Sequence, residues 1–252
     1  MNTIHIECKN VSFSYENGIE VLKNICFKTK NKESIGIIGA NGAGKSTLLR
    51  IIVGLELDFK GEVTVNQMPI TKKTLPEISS QIGYLFQNSD NQLFTQNVFS
   101  DVAFALKNHG FDEKTVEERV MKALDTVGIT HLRDKKIYRM SGGEKKMVSI
   151  ATILAMTPNI VLLDEPSIAL DPKNRRTLIN ILNRLDHIKL IASHDLDMIL
   201  ETCDRVILIS EGRIVCEGPT EEILRNKELL EKNGLELPLC LGGYQFHKRY
   251  LQ

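Results

Sequence analysis

Apolar and polar residues alternate over the first thirty positions, as in NVSFSY and VLKNICFKTK. A period of two marks a strand with one buried face. The pattern therefore predicts antiparallel strands over 3–15 and 20–30 around a turn at Asn17-Gly18. SIGIIG then forms a continuous apolar run that ends in glycine, as in a strand buried on both faces. From about Lys45 the spacing lengthens, and Leu48, Leu49, Ile52 and Val53 fall on the inner side of a helix. GEVTV and QIGYLF read as further strands. Between Asp90 and Met140 the chain becomes helical in character, with Val116, Val120, Leu124 and Val127 at helix spacing and Gly128 as the stop. Beyond it, strand and helix alternate: NIVLLD, a helix from Pro172, KLIAS, a helix from Asp195, RVILIS and EGRIVCEG. Such alternation implies a largely parallel sheet covered by helices, with the stretch from Asp90 to Met140 as an inserted helical subdomain.

The loops of this pattern carry the candidate chemistry. GANGAGKST, comprising Gly39, Ala40, Asn41, Gly42, Ala43, Gly44, Lys45, Ser46 and Thr47, matches G-x-x-x-x-G-K-[ST] between a strand and a helix. Glycines let backbone N–H groups point inward at phosphate oxygens, and the helix dipole favours the anion. Lys45 reaches for the β- and γ-phosphates and Ser46 for magnesium. The alternative is a chance glycine-rich turn, which the flanking strand and helix argue against.

NIVLLDEP ends an apolar strand in two carboxylates. Asp164 delivered beside the phosphate loop holds magnesium, directly or through its water. Glu165 points elsewhere and can orient or deprotonate an attacking water. Acids before proline also open helices, so this motif gains its weight from the phosphate loop. His194 ends a strand expected to run beside the carboxylate-bearing one, and Gln87 follows another strand, where its amide can touch magnesium and the water. A lone histidine is more often a packed or surface residue.

MSGGEKKM, from Met140 to Met147, is a second glycine-rich helix start. Ser141 and Glu144 fit a capping box ahead of an apolar run. Capping does not account for Gly142 and Gly143, each of which weakens a helix by about 1 kcal/mol against alanine. Two glycines make sense if something must approach the backbone closely, and the N–H groups of a helix start favour an anion. The first loop already encloses one nucleotide, so this start is expected to meet a nucleotide held by another subunit.

Composition narrows the setting. The chain has 252 residues, 42% apolar and 25% charged, in the range of an ordinary globular protein. Its 32 basic and 32 acidic side chains cancel, so no global field recruits nucleic acid or anionic lipid. Five scattered cysteines (Cys8, Cys26, Cys203, Cys216 and Cys240) suit a reducing compartment rather than a disulfide framework or a zinc site. No signal peptide is expected from MNTIHIECKN, and no apolar run approaches the ~18 residues of a membrane span. Work at a membrane would require a partner.

In this order the motifs resemble those of the ATP-binding subunits of ABC transporters, over nearly the whole chain. GANGAGKST looks like Walker A, MSGGE like the signature, IVLLDEP like Walker B and SIALD, ending in Asp171, like the D-loop. Gln87 and His194 correspond to the Q-loop glutamine and the switch histidine, and Tyr15 stands where the family stacks an aromatic on adenine. The resemblance implies an α/β fold, a P-loop NTPase core with an antiparallel β subdomain and an inserted α-helical subdomain. It places the core at 1–89 and 141–225, the helical subdomain at 90–140 and a C-terminal extension at 226–252. It further implies that two subunits, identical or paralogous, sandwich two ATP molecules with Mg2+. Ser141, Gly142, Gly143 and Asp171 would then serve the partner's nucleotide in trans.

Integral membrane transport subunits would hold the pair at the cytoplasmic face of the membrane, with no nucleic-acid partner. GYLFQNSDNQLFTQNVFSDVAFAL, SGGEKK and LLEKNGLELP are most similar to energy-coupling factor (ECF) transporters, including the cobalt and nickel type, which import vitamins or metal ions. A soluble ABC protein acting on nucleic acid or ribosomes is the alternative; it usually carries a coiled-coil insertion or two cassettes, and this chain has neither. A small-molecule kinase is a third, opposed by Ser141–Glu144 and Glu165.

Met140, Glu144 and Met147 depart from the usual leucine, glutamine and arginine, and NKES from the usual turn before Walker A. Glu144 is expected to fold back on the helix start, with Lys145 and Lys146 offsetting its charge. Leu93, Phe94, Val98, Phe99 and Phe104 are unusually apolar for a surface stretch. They read as core of the helical subdomain or, where exposed, as a groove for a membrane-subunit helix.

Overall fold

The computed structural model describes residues 5–16 and 18–242. The alternating stretches form β1 (Ile6–Ser14) and β2 (Glu20–Lys28), antiparallel and joined by a turn. Gly18 N donates to Tyr15 O and Tyr15 N to Ile19 O across that turn; Asn17, like residues 3 and 4, lies outside the described residues. β3 (Ser34–Ile38) leads through the glycine loop into α1 (Lys45–Ile52), whose Leu48, Leu49 and Ile52 are buried while Val53 is only half-buried. β4 (Lys60–Val65) pairs with β1, and a two-residue β5 (Met68–Pro69) completes a four-stranded antiparallel sheet, β2-β1-β4-β5. β5 and the short α2 (Leu75–Ser79) have too few residues to show a period, and the sequence pattern does not predict them.

The second sheet begins with β6 (Ile82–Leu85) and gains β7 (Ile160–Asp164), β8 (Ile188–Ala192), β9 (Arg205–Ser210) and β10 (Arg213–Pro219). Its order is β10-β9-β3-β8-β7-β6, parallel except for β10. Between β6 and β7 lie α3 (Val98–Asn108), α4 (Glu113–Thr126) and α5 (Gly142–Met156). α4 starts at Asp112, whose side chain accepts from Thr115 N, buries Val116, Val120 and Leu124, and gives way to Gly128 at φ 74°. α5 packs against both α3 and α4, so the helical layer continues past Met140. α6 (Pro172–Arg184), α7 (Leu196–Thr202), α8 (Thr220–Arg225) and α9 (Lys227–Lys232) complete the chain; the tail YQFHKRYLQ is outside the described residues.

The central strands are apolar on both faces because both are covered. Ile35, Ile37, Ile160, Leu162, Ile188 and Leu190 join a core with α1 and the antiparallel sheet. Ile38, Val161, Leu163 and Ile191 join the other core, against the helices. No helix among the described residues is long and apolar enough to cross a membrane.

One charged cluster ties the two sheets together. Arg205, at the start of β9, donates through Nε to Glu33 Oε1 at 2.9 Å and through a terminal nitrogen to Lys28 O at 2.8 Å, at the end of β2. Glu33 is buried and also accepts from Lys30 N at 2.7 Å. Arg205→Met removes the cation from a buried carboxylate and should lower the unfolding free energy by about 3 kcal/mol in denaturant titration. Arg205→Met with Glu33→Leu should recover part of that loss.

Candidate active site

Sheet register brings the site together. Ile37 pairs with Ala192 and Ala192 with Asp164, so β3, β8 and β7 end on one row, and Leu85 of β6 pairs with Leu163 beside it. The chain leaves that row at four places carrying Gly39, Asp164-Glu165, His194 and Gln87.

Two glycines of the first loop are required by geometry. A Cβ on Gly39 would stand 2.2 Å from Ile209 O, and one on Gly44, at φ 106°, would stand 2.7 Å from Leu22 Cδ2. The loop curls around Lys45, which is 6% exposed and donates to Gly39 O at 2.7 Å and Ala40 O at 3.1 Å. Burial lowers the Lys45 pKa, while Glu165 and Asp164 oppose that shift. Ser46 Oγ donates to Asp164 Oδ1 at 2.8 Å. Burial raises the Asp164 carboxyl above its usual range, against the Ser46 bond and the charges of Lys45 and Lys146.

Glu165 follows with φ 47°, in the left-handed region that non-glycine residues seldom adopt. Its Oε2 stands 2.8 Å from His194 Nδ1 and accepts from Ser193 Oγ and His194 N, each at 3.3 Å. Tyr15 shares a 3.0 Å hydrogen bond with Thr47 Oγ1, its ring edge-on to Phe13. Tyr15, the loop from Asn41 to Thr47, Gln87 and Glu165 line one cavity of about 470 Å³.

The cavity suits a nucleotide polyphosphate: a glycine loop at a helix N-terminus, a buried ammonium and an aromatic in its lining. Ser46 and Asp164 present hydroxyl and carboxylate oxygens side by side, donors that fit a hard divalent cation. Among the described residues no group of three or more His, Cys, Asp or Glu stands ready for a metal ion, so further oxygens would come from the nucleotide.

Ser141, Gly142, Gly143 and Asp171 do not line that cavity. Ser141 caps α5 in a full capping box, accepting from Glu144 N at 3.2 Å while Glu144 Oε2 accepts from Ser141 N at 2.9 Å. A Cβ on Gly143 would stand 2.9 Å from Ala169 O, so part of the need for glycine arises within the chain. Asp171 caps α6, accepting from Asn174 N at 2.7 Å.

The expected neutralisation of Glu144 by Lys145 and Lys146 is corrected. Lys135 bonds both Glu144 oxygens, at 2.7 and 2.9 Å, and is the first cause of the carboxyl's lowered pKa. Lys145 pairs instead with Asp90 at 2.6 Å, whereas Lys146 is buried on Phe86 O and Gln87 O. Burial pulls Lys146 down to about 8, against the pull of Asp164 and Glu165. Sequence reasoning missed the contacts of Lys135 and Lys146. The signal for Lys146 is a charge immediately before the apolar run of α5.

The apolar stretch after Gln87 divides. Leu93 and Val98 are core and Phe99 is half-buried, but Phe94 is 65% and Phe104 42% exposed, edge-on to each other at 4.7 Å. They border a cavity of about 250 Å³ that also contacts Ile153 and Met156 of α5.

A family model described as ABC transporter matches residues 22–168. A putative ABC transporter ATP-binding protein of Geobacter sulfurreducens is 45% identical, over 94% of this chain and 96% of its own. The energy-coupling factor transporter ATP-binding protein EcfA of Carboxydothermus hydrogenoformans is 40% identical, over 95% of this chain and 90% of its own. Among solved structures, cbiO1 from Clostridium perfringens, described as part of the ABC transporter complex cbiONQ, matches with TM-score 0.79 and 35% identity. That match covers 92% of this chain and 95% of cbiO1. A dimeric ATP-binding cassette in a post-hydrolysis state with ADP and phosphate matches with TM-score 0.80 and 27% identity, over 85% of this chain and 98% of its own. This chain belongs to the ABC transporter family and is an ATP-hydrolysing subunit of a transporter.

Glu165→Gln keeps the cavity and removes a carboxylate able to take a proton. ATP binding should persist in nucleotide titration while steady-state hydrolysis falls by roughly 10²–10⁴. Wild-type turnover in this variant would exclude Glu165 as the base.

Proposed function

We propose that this chain is one of two ATPases that drive a membrane transporter of the ECF type, which brings a vitamin or metal ion into the cell. The observation that carries the pairing is the start of α5, where Ser141 and Gly142 are exposed and Gly143 is half-buried: they form an anion-ready helix start outside the chain's own nucleotide cavity. A second ATPase, identical or paralogous, supplies the nucleotide it meets, and Asp171 faces the same partner. The ECF assignment is supported by relatives such as EcfA of Carboxydothermus hydrogenoformans. Membrane subunits hold the pair at the cytoplasmic face. Residues 1–252 make up a single ABC ATPase domain, with its core at 1–89 and 141–225, a helical subdomain at 90–140 and an extension at 226–252.

In this reading Tyr15 stacks on adenine, and Lys45 exchanges the carbonyls of Gly39 and Ala40 for phosphate oxygens. Ser46 and Asp164 would hold Mg2+, which would supply positive charge against the phosphate oxygens. Glu165 accepts the proton of the water that attacks the γ-phosphorus as the bond to ADP breaks. Gln87 orients that water, and His194 fixes the Glu165 carboxylate through Nδ1. The exposed Phe94 and Phe104 form the rim of a groove for a short helix of a membrane subunit.

Two experiments test the assembly. Affinity purification from native membranes should bring down integral membrane subunits. Phe94→Glu with Phe104→Glu should lose them while binding ATP normally. Co-purification of ribosomal or DNA-repair proteins instead would overturn the transport reading.

The pairing is tested by mixing a Lys45→Ala chain with a Ser141→Arg chain, both also carrying Glu165→Gln. Each variant alone lacks one half of every site, but together they assemble one complete site. ATP should therefore drive dimers in light scattering only in the mixture; for a paralogous pair the changes are divided between the two chains. Folded variants that fail to dimerise, beside an otherwise intact Glu165→Gln pair that does, would leave Ser141 and Glu144 as a helix cap alone.

A further inference from the structure

We propose that Lys146 is a positioning residue for hydrolysis: from α5 its ammonium grips the main chain at Phe86 and Gln87, and so sets where the Gln87 side chain stands over the nucleotide cavity. The inference rests on the reading of Gln87 and of the α5 start given above.

Lys146 is 2% exposed, and its Nζ donates to Gln87 O at 2.7 Å and to Phe86 O at 3.1 Å. β6 ends at Leu85, so both carbonyls lie just past the last rung of the sheet, where the ladder no longer satisfies them. The lysine takes over from the ladder at the point where the chain must hold a catalytic amide steady. A buried ammonium is costly to desolvate, and a methionine such as the adjacent Met147 would fill this space without that cost. What lysine adds is a pair of directed, charge-assisted donors.

The grip belongs to a longer seam. Lys145 pairs with Asp90, and Gln92 Nε2 donates to Ser149 O at 2.9 Å and Thr152 Oγ1 at 2.8 Å. Residues 145–146, 149 and 152 recur at helix spacing, so one stripe of α5 carries the whole segment from Phe86 to Gln92. Ser141 and Gly142 at the α5 start are exposed and Gln87 lines the nucleotide cavity, so one hydrogen-bonded unit joins the helix start to that cavity. A shift of α5 onto a second subunit's nucleotide then carries Gln87 with it.

The test is a double-mutant cycle on ATP turnover in the full chain, with Lys146→Met, Gln87→Ala and both together. Lys146→Met should lower kcat by roughly tenfold, the effect of losing a charge-assisted hydrogen bond, and leave KM for ATP unchanged. The double variant should be no slower than Gln87→Ala alone, because both changes remove the same positioned amide. Independent, multiplying losses overturn the proposal. If Gln87→Ala leaves kcat intact, the reading of Gln87 falls and the proposal with it.

Thermal unfolding of each variant separates turnover from folding. Should Lys146→Met not fold, Lys146→Gln, whose amide can still donate to a carbonyl, is carried through the same cycle and judged by the same criterion. Where both fold, Lys146→Gln should retain more turnover than Lys146→Met, and equal or lower turnover counts against the directed grip.

Discussion

Parallel pairing of β3, β8 and β7 in one register is the constraint on which the site depends. Because Ile37, Ala192 and Asp164 share a row, the chain must emerge from three strands at the same edge. Ser193 N donates to Ile37 O and Glu165 N to Ala192 O, extending the row by one residue where the loops begin. A slip of one residue would exchange every side chain between the two cores and turn Asp164 away from Ser46. The apolar packing on both faces therefore holds the geometry of the candidate site as well as the fold.

On that edge the electrostatics balance locally. Lys45, Lys146, Asp164 and Glu165 are all buried, two cations against two carboxylates. Each charge would be costly without the others. Asp164 is raised first by its burial and restrained by Ser46, while Lys45 and Lys146 are both lowered by theirs. In each case burial disfavours the charged form, and the opposite charges nearby offset part of that cost.

The α5 start is held largely by contacts within its own chain. Its capping box is complete, and Glu144 is neutralised by Lys135 instead of standing free near a phosphate. Gly143 is explained in part by Ala169 O, within the same chain. Ser141 is exposed and lies outside the chain's own nucleotide cavity. A capping box does not exclude the proposed contact with an anion, because side chains satisfy only some of the donors of a first turn.

The sequence by itself determined the order of the longer strands and of most longer helices, the phosphate loop and the carboxylate pair. Each is a local pattern: period two, period 3.6, or a glycine loop of fixed spacing between a strand and a helix. It also placed His194 beside the carboxylates, since consecutive β–α units make their strands neighbours. Only the tertiary structure decided the contacts that join distant segments. Glu144 meets Lys135 and not its neighbours in the chain, Lys146 turns inward to Gln87, and Arg205 ties Glu33 to the end of β2. Leu93 and Phe94 are adjacent in sequence, yet one is core and the other surface. The reason is physical: spacing along the chain fixes which side chains share a face, whereas the partner of a long charged side chain depends on which elements later pack against that face.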